Sequence, residues 1–237
     1  TPQNAIVQGA KLDVVAVSMR RVIYQFIGRP GIDSIADLAG KRVGVSGAGS
    51  PSDFFTSKVL RAAGLEPGKD VEMLSLGGGS ERLAAFVAGQ IGAVLLATST
   101  APAALEKTNG KVLIDLSQSD EVFPFASVSV TSAFADANED LLVDFLRTYA
   151  EATTRFKNDP VGGQATIAKL LDQPVSDKTK ATYEEIIKQF DDRPVPHLDE
   201  AEAVLALLQE TVPQAKDFSA TRLFNATYIE KALQAGK

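Results

Sequence analysis

Residues 41–53 read KRVGVSGAGSPSD, and the fold class follows from that stretch. The run 41–46 is a strand, with Val43 and Val45 on one face. It breaks at once into Gly47-Ala48-Gly49-Ser50. Ser50 is then placed to cap a helix, Pro51 suits the first helical position, and Asp53 lies three residues past the cap. The helix runs to residue 63 and stops at Gly64. A strand, a glycine-rich turn and a well-marked helix in that order form the unit of a parallel α/β sheet.

The alternation continues downstream. Residues 71–76 read as a strand, the GGGS loop 77–80 offers Ser80 as a cap, and 81–88 read as a helix ended by Gly89. The run IGAVLLA at 91–97 is apolar on both faces, as a parallel strand covered on both sides requires. A helix at 101–107 and a strand at 112–116 complete the block. Upstream, 12–18 and 22–27 are strand candidates and 34–38 a short helix. After a strand at 125–131 the pattern turns helical, at 140–158, 163–171, 177–190, 199–209 and 226–233. Leu141, Leu142, Phe145, Leu146 and Tyr149 share one helical stripe there. The extended segments 22–30 and 123–131 flank the α/β block as hinge crossings would. The pattern therefore predicts two lobes: 1–30 together with 123–237, and an inserted lobe, 31–122.

Bulk properties narrow the function. Of 237 residues, 45% are hydrophobic and 23% charged, which supports a buried core. The net charge is −6 and no Lys/Arg block stands out, so no nucleic-acid partner is expected. There is no cysteine, which removes disulfides, thiolate metal sites and cysteine nucleophiles. The single histidine, His197, sits in a loop between Pro196 and Leu198 and reads as a surface residue. No metal, cofactor or catalysis is expected. No apolar run reaches the roughly 18 residues of a membrane span, and polar Thr1-Pro2-Gln3-Asn4 stands at the start rather than a signal peptide.

The candidate ligand residues cluster at strand ends. The loop holding Ser46, Gly47, Gly49, Ser50 and Ser52 joins bare backbone N–H groups, a helix N-terminus and hydroxyl donors. It is no phosphate-binding P-loop, since no Lys-Ser/Thr pair follows the glycines. Simple helix capping is the competing reading of the same residues, and Asp53 argues against a strong anion because it already occupies the helix dipole. Gly78 and Thr98 end the next two strands of the block. Ser18, Arg20 and Arg21 end a strand of the outer lobe, where an arginine would clamp an anion. Tyr24 reads as hinge core, and Phe54 and Phe55 as helix packing.

These pieces resemble a family. Residues 14–18, Arg21, Ile23, Tyr24, Arg29-Pro30, Ile32 and the run 34–46, followed by Gly47 to Asp53, 62–65, 76–78, 82–85 and Gly89-Gln90, are similar in order and spacing to the periplasmic substrate-binding proteins of ABC importers, in the sulfonate/nitrate/thiamine-precursor branch. The resemblance covers residues 1 to about 155. It implies a two-lobed type 2 periplasmic-binding fold, with parallel-rich sheets flanked by helices and a helical C-terminal half. It also implies a small polar or anionic organic ligand, a membrane permease as partner with no direct membrane insertion of this chain, and a periplasmic or surface-tethered location. It implies further that a portion of the outer lobe precedes Asn4 in family members and is missing here, leaving an open strand edge. Gly92 departs from the family, which often has an acidic residue there. The alternatives are a thiamine-pyrimidine biosynthetic enzyme, which would want His and Cys groups, and a sensing or TRAP-type binding module.

Overall fold

The computed structural model describes residues 1–210 and 212–234. In chain order, α1 (Pro2–Val7) leads into β1 (Leu12–Arg21) and β2 (Tyr24–Gly28). The α/β block follows as β3 (Arg42–Val45), α2 (Pro51–Ala62), β4 (Glu72–Ser75), α3 (Gly79–Val87), β5 (Ala93–Ala97), α4 (Ala101–Thr108) and β6 (Lys111–Asp115). After β7 (Val122–Thr131) come α5 (Ser132–Ala137), α6 (Glu139–Asn158), α7 (Pro160–Leu170), α8 (Asp177–Ile187), α9 (Leu198–Gln209) and α10 (Thr227–Gln234). Helix α1 escaped the sequence reading, although Thr1 caps it and Pro2 opens it.

The chain forms two compact units, one of Thr1–Arg21 with Asp120–Lys237 and one of Val22–Ser119. The inserted unit is built on a five-stranded sheet of order β4-β3-β5-β2-β6. Strand β3 pairs parallel with β4 and with β5. Strand β2 corrects the hinge assignment of residues 22–30. It lies antiparallel between β5 and β6, bonded to both, so it belongs to the inserted unit. Its Phe26 and Ile27 are fully buried, and a side chain that sheds all its water inside one core does not behave as a crossing. Strand β5 behaves as its composition predicts, with Ala93, Val94, Leu95 and Leu96 all buried.

The outer unit holds a two-stranded antiparallel pair, β1 with β7. The other side of β1 is also bonded: the Val17 N–H donates to Pro194 O at 3.0 Å, and Asp191 and Asn225 donate to Ser18 O and Val14 O, each at 2.9 Å. The far side of β7 pairs with no strand among the described residues. Its core joins Val15 and Ala16 to Leu142, Leu146 and Ala150 of α6 and Ile229 of α10. The buried stripe of α6 is therefore narrower than the sequence pattern implied. Leu141 and Phe145 face outward, and Phe145 stacks on Tyr149 at 6.2 Å between ring centres.

Gly44 marks where helix α3 and its flanking residues press closest on the inserted sheet. A methyl group there would come within 2.7 Å of Ile91 Cδ1 and 3.0 Å of Leu76 Cδ1. Gly44→Ala should overpack this core and destabilise the protein by about 1–3 kcal/mol. Denaturant melts compared with wild type measure it, and an unchanged midpoint would show that the layer has slack.

Candidate functional site

At the carboxyl end of β3 the backbone turns through Ser46 into the cap of α2. Ser50 caps the helix, accepting the Asp53 N–H at 3.2 Å. Asp53 turns back onto the loop and accepts the Gly49 N–H at 2.8 Å. Ser52 is fully buried; its hydroxyl oxygen accepts the Ser46 N–H at 2.8 Å, and its proton goes to Ser46 Oγ at 2.9 Å. With that proton committed, the 3.0 Å contact between Ser50 and Ser52 must run from Ser50 to Ser52. Ser50 and Ser52 thus satisfy each other and the backbone. The capping reading of these two residues describes their contacts fully.

Ser46 is different. Arg82, on α3, donates through Nη1 to Ser46 Oγ and, at 2.9 Å, to Gly77 O. Both lone pairs of Ser46 Oγ are therefore filled, by Arg82 and Ser52. No described residue accepts its own proton, and the side chain is half-buried at the strand end. A hydroxyl with full lone pairs and a spare proton is a committed donor.

Arg82 is the site residue that sequence reasoning missed. Only 3% exposed, it makes no ion pair with any described residue, and its Nε–H is buried without a partner. Burial pulls its pKa below the ordinary arginine value, opposed by the Tyr24 hydroxyl and Glu81. Burial likewise raises the Tyr24 pKa, with Arg82 opposing. A buried cation whose nearby carboxylate, Glu81, makes no ion pair with it is costly and calls for a reason. Its position in a helical run, Ser80-Glu81-Arg82-Leu83, resembles any solvated helix face; only the tertiary fold turns it inward.

Other candidates separate into two groups. Gly78 is the N-cap of α3, and its neighbour Gly77 donates to Ser46 O at 3.1 Å, so the two glycine-rich turns lie side by side. Gly47 accepts the Ser50 N–H at 3.1 Å, and Gly49 takes a positive φ of 71°. Thr98 ends β5 at the same sheet edge, its N–H donating to Ile23 O at 2.8 Å. Tyr24, placed by its sequence in a hinge, instead packs edge-on to Phe55 at 6.2 Å. Ser18, Arg20 and Arg21 belong to the outer unit, and all three are occupied. Ser18 is buried and accepts the Tyr149 hydroxyl at 2.6 Å. Arg21 pairs with Asp120 at 3.0 Å.

Arg20, expected to clamp a ligand anion, instead binds three carboxylates of its own unit. It reaches Asp191 at 3.3 Å, Asp199 at 2.9 Å and the fully buried Glu200. Burial pushes the Glu200 pKa up, against the His197 N–H and Arg20, which hold the charge. His197 is the N-cap residue of α9.

The family model of NMT1/THI5-like proteins matches residues 3–162. The chain belongs to the NMT1/THI5-like family. No curated protein matches it at significant similarity. Among solved structures, a protein from Bordetella bronchiseptica RB50 is 21% identical with a TM-score of 0.82, covering 99% of this chain and 78% of that one. The periplasmic aliphatic sulphonate binding protein SsuA of Escherichia coli is 24% identical with a TM-score of 0.64, covering 98% and 71%. The desulfurization enzyme DSZB is 15% identical with a TM-score of 0.69, covering 99% and 84%. These likenesses give the NMT1/THI5-like chain the two-lobed periplasmic-binding fold expected from its sequence.

Arg20→Ala should leave the Glu200 carboxylate buried with the His197 N–H but no ion-pair partner, lowering stability by about 3–5 kcal/mol. Urea unfolding tests this; a loss below about 1 kcal/mol would return Arg20 to the list of ligand contacts.

Proposed function

We propose that this NMT1/THI5-like protein is a solute-binding protein that delivers a small polar or anionic organic molecule to an ABC importer, in the periplasm or tethered at the cell surface. The observation that carries the reading is the Ser46 hydroxyl. It is a committed donor at the carboxyl edge of a parallel sheet, where ligands of α/β folds bind, and a buried Arg82 that makes no ion pair with any described residue sets its direction. Arg82 acts through Ser46 as a positioning residue. Gly47, Gly49 and Gly78 leave backbone uncovered around it, and Thr98 ends a strand on the same edge.

The chemistry favours binding over catalysis. A desulfurization enzyme shares the fold, so the fold alone does not decide. The chain has no cysteine and one histidine, and among the described residues no cluster of His, Cys, Asp or Glu is placed to hold a metal. At the Ser46 loop, Asp53 is engaged with the Gly49 N–H. No described helix is long and apolar enough to cross a membrane.

The test is mass spectrometry of solute released from purified protein, followed by calorimetry with that solute. A hydrogen bond from Ser46 to a charged group contributes on the order of 1.5–3 kcal/mol. Ser46→Ala should therefore weaken binding by about tenfold or more. Arg82→Met, with the fold intact, should weaken it comparably, and Arg82→Lys should restore part of the loss. Wild-type affinity in both Ser46→Ala and Arg82→Met would place the site elsewhere. Turnover of the released solute by purified protein would replace the binding reading with an enzymatic one.

A further inference from the structure

The inserted unit carries a concavity at the end of its sheet opposite Ser46. A groove of about 410 Å³ opens where β3 and β5 begin and β2 has just ended. Three cations line it, Arg29, Lys41 and Arg42, and no carboxylate does. In a chain of net charge −6 that is a local reversal of sign.

Three of the neighbouring acids, Asp33, Asp37 and Asp70, are already engaged, and a fourth, Glu72, is exposed. Asp33 pairs with Lys111 at 2.6 Å. Asp37 accepts the N–H groups of Asp33 and Ser34, at 2.9 and 2.8 Å, which hold its pKa low. Asp70 accepts the Glu66 N–H at 2.8 Å. Glu72 stands opposite Arg42 in the parallel ladder, and the two make no ion pair. Lys41 likewise pairs with no described carboxylate, and both cationic side chains are exposed. Arg29 is held in place, donating to Phe86 O with its guanidinium 5.8 Å from the centre of the Phe86 ring.

The walls between these cations are glycine. Gly31, Gly40 and Gly89 take positive φ values of 86°, 70° and 74°, and Gly92 completes the set. The N–H groups of Gly40, Gly89 and Gly92 are already donated, to Asp70 O, Phe86 O and Arg42 O; the glycines keep the groove free of side chains, and recognition falls to the cations. The Arg42 fork, the Lys41 ammonium and the part of the Arg29 guanidinium not turned to the Phe86 and Val87 carbonyls suit an anion that carries several oxygens and more than a single charge.

We propose that this groove binds a phosphate group, carried either by a free small molecule or by a lipid headgroup. It shares no residue with the Ser46 site and stands or falls separately from the solute-binding reading.

Gly92 supplies the test. A β-carbon at this position would lie 3.5 Å from Lys41 Cβ and 3.0 Å from the flexible end of Ile32. Gly92→Asp therefore sets a carboxylate beside Lys41, and Gly92→Asn sets the same shape there without charge. Titration calorimetry with inorganic phosphate and glycerol 3-phosphate probes the soluble source. Co-sedimentation with phosphatidylglycerol vesicles, against phosphatidylcholine alone, probes the headgroup. The expected result is binding from one source by wild type and Gly92→Asn, weakened by high salt and reduced about tenfold or more in Gly92→Asp. Binding to soluble phosphates assigns the free molecule; binding confined to phosphatidylglycerol assigns the headgroup. If neither source binds, or if the Asp and Asn variants bind alike, the proposal is overturned. Circular dichroism verifies the fold, and if Gly92→Asp misfolds, Lys41→Gln with Arg42→Gln carries the same comparison.

Discussion

The parallel pairing of β3 with both β4 and β5 is the constraint on which the candidate site depends. Parallel strands cannot be joined by a tight hairpin, so each return needs a crossover, here α2 and α3. Every strand of the set then ends at the same edge, and every helix begins there. Ser46, Gly77 and Thr98 are brought to one edge by that rule. The rule also leaves the opposite edge, where the strands begin, to Arg29, Lys41 and Arg42.

Arg82 shows how the donors and acceptors at such an edge are narrowed. Glycine-rich turns and helix N-termini offer donors to many ligands, and a serine hydroxyl can donate or accept. A buried guanidinium that fills the last lone pair of Ser46 removes that freedom. The cost of burying a cation is offset in part by two hydrogen bonds, to Ser46 and Gly77, and its Nε–H remains unsatisfied. The serines around it divide the work. Ser50 and Ser52 hold the loop in shape, and half-buried Ser46 keeps a proton that no described residue accepts.

In the outer unit the same economy of charge serves structure. Arg20 gathers Asp191, Asp199 and buried Glu200, tying the end of β1 to the start of α9. Arg20, Arg82 and the Arg29 groove show three uses of one residue type. One arginine is neutralised by acids, one is buried against hydroxyl and carbonyl oxygens, and one caps a helix beside free cations.

Local signals along the chain were enough to give the alternation of strand and helix from residue 41 to 116, the cap of α2 at Ser50, the doubly buried β5, and the family. These are local or periodic signals: a capping residue acts within three positions, and apolar patterning repeats every two or 3.6 residues. Tertiary structure alone decided three other points. It placed β2 inside the inserted unit, because a strand of five residues carries no mark of which neighbours it will pair with, or in which direction. It left Leu141 and Phe145 outward while Leu142 and Leu146 packed inward, because a stripe of apolar residues does not state how wide its partner is. And it separated the arginines, burying Arg82 and binding Arg20 to Glu200 from 180 positions away, because the partner of a charge is set by the path of the whole chain and not by its neighbours in sequence.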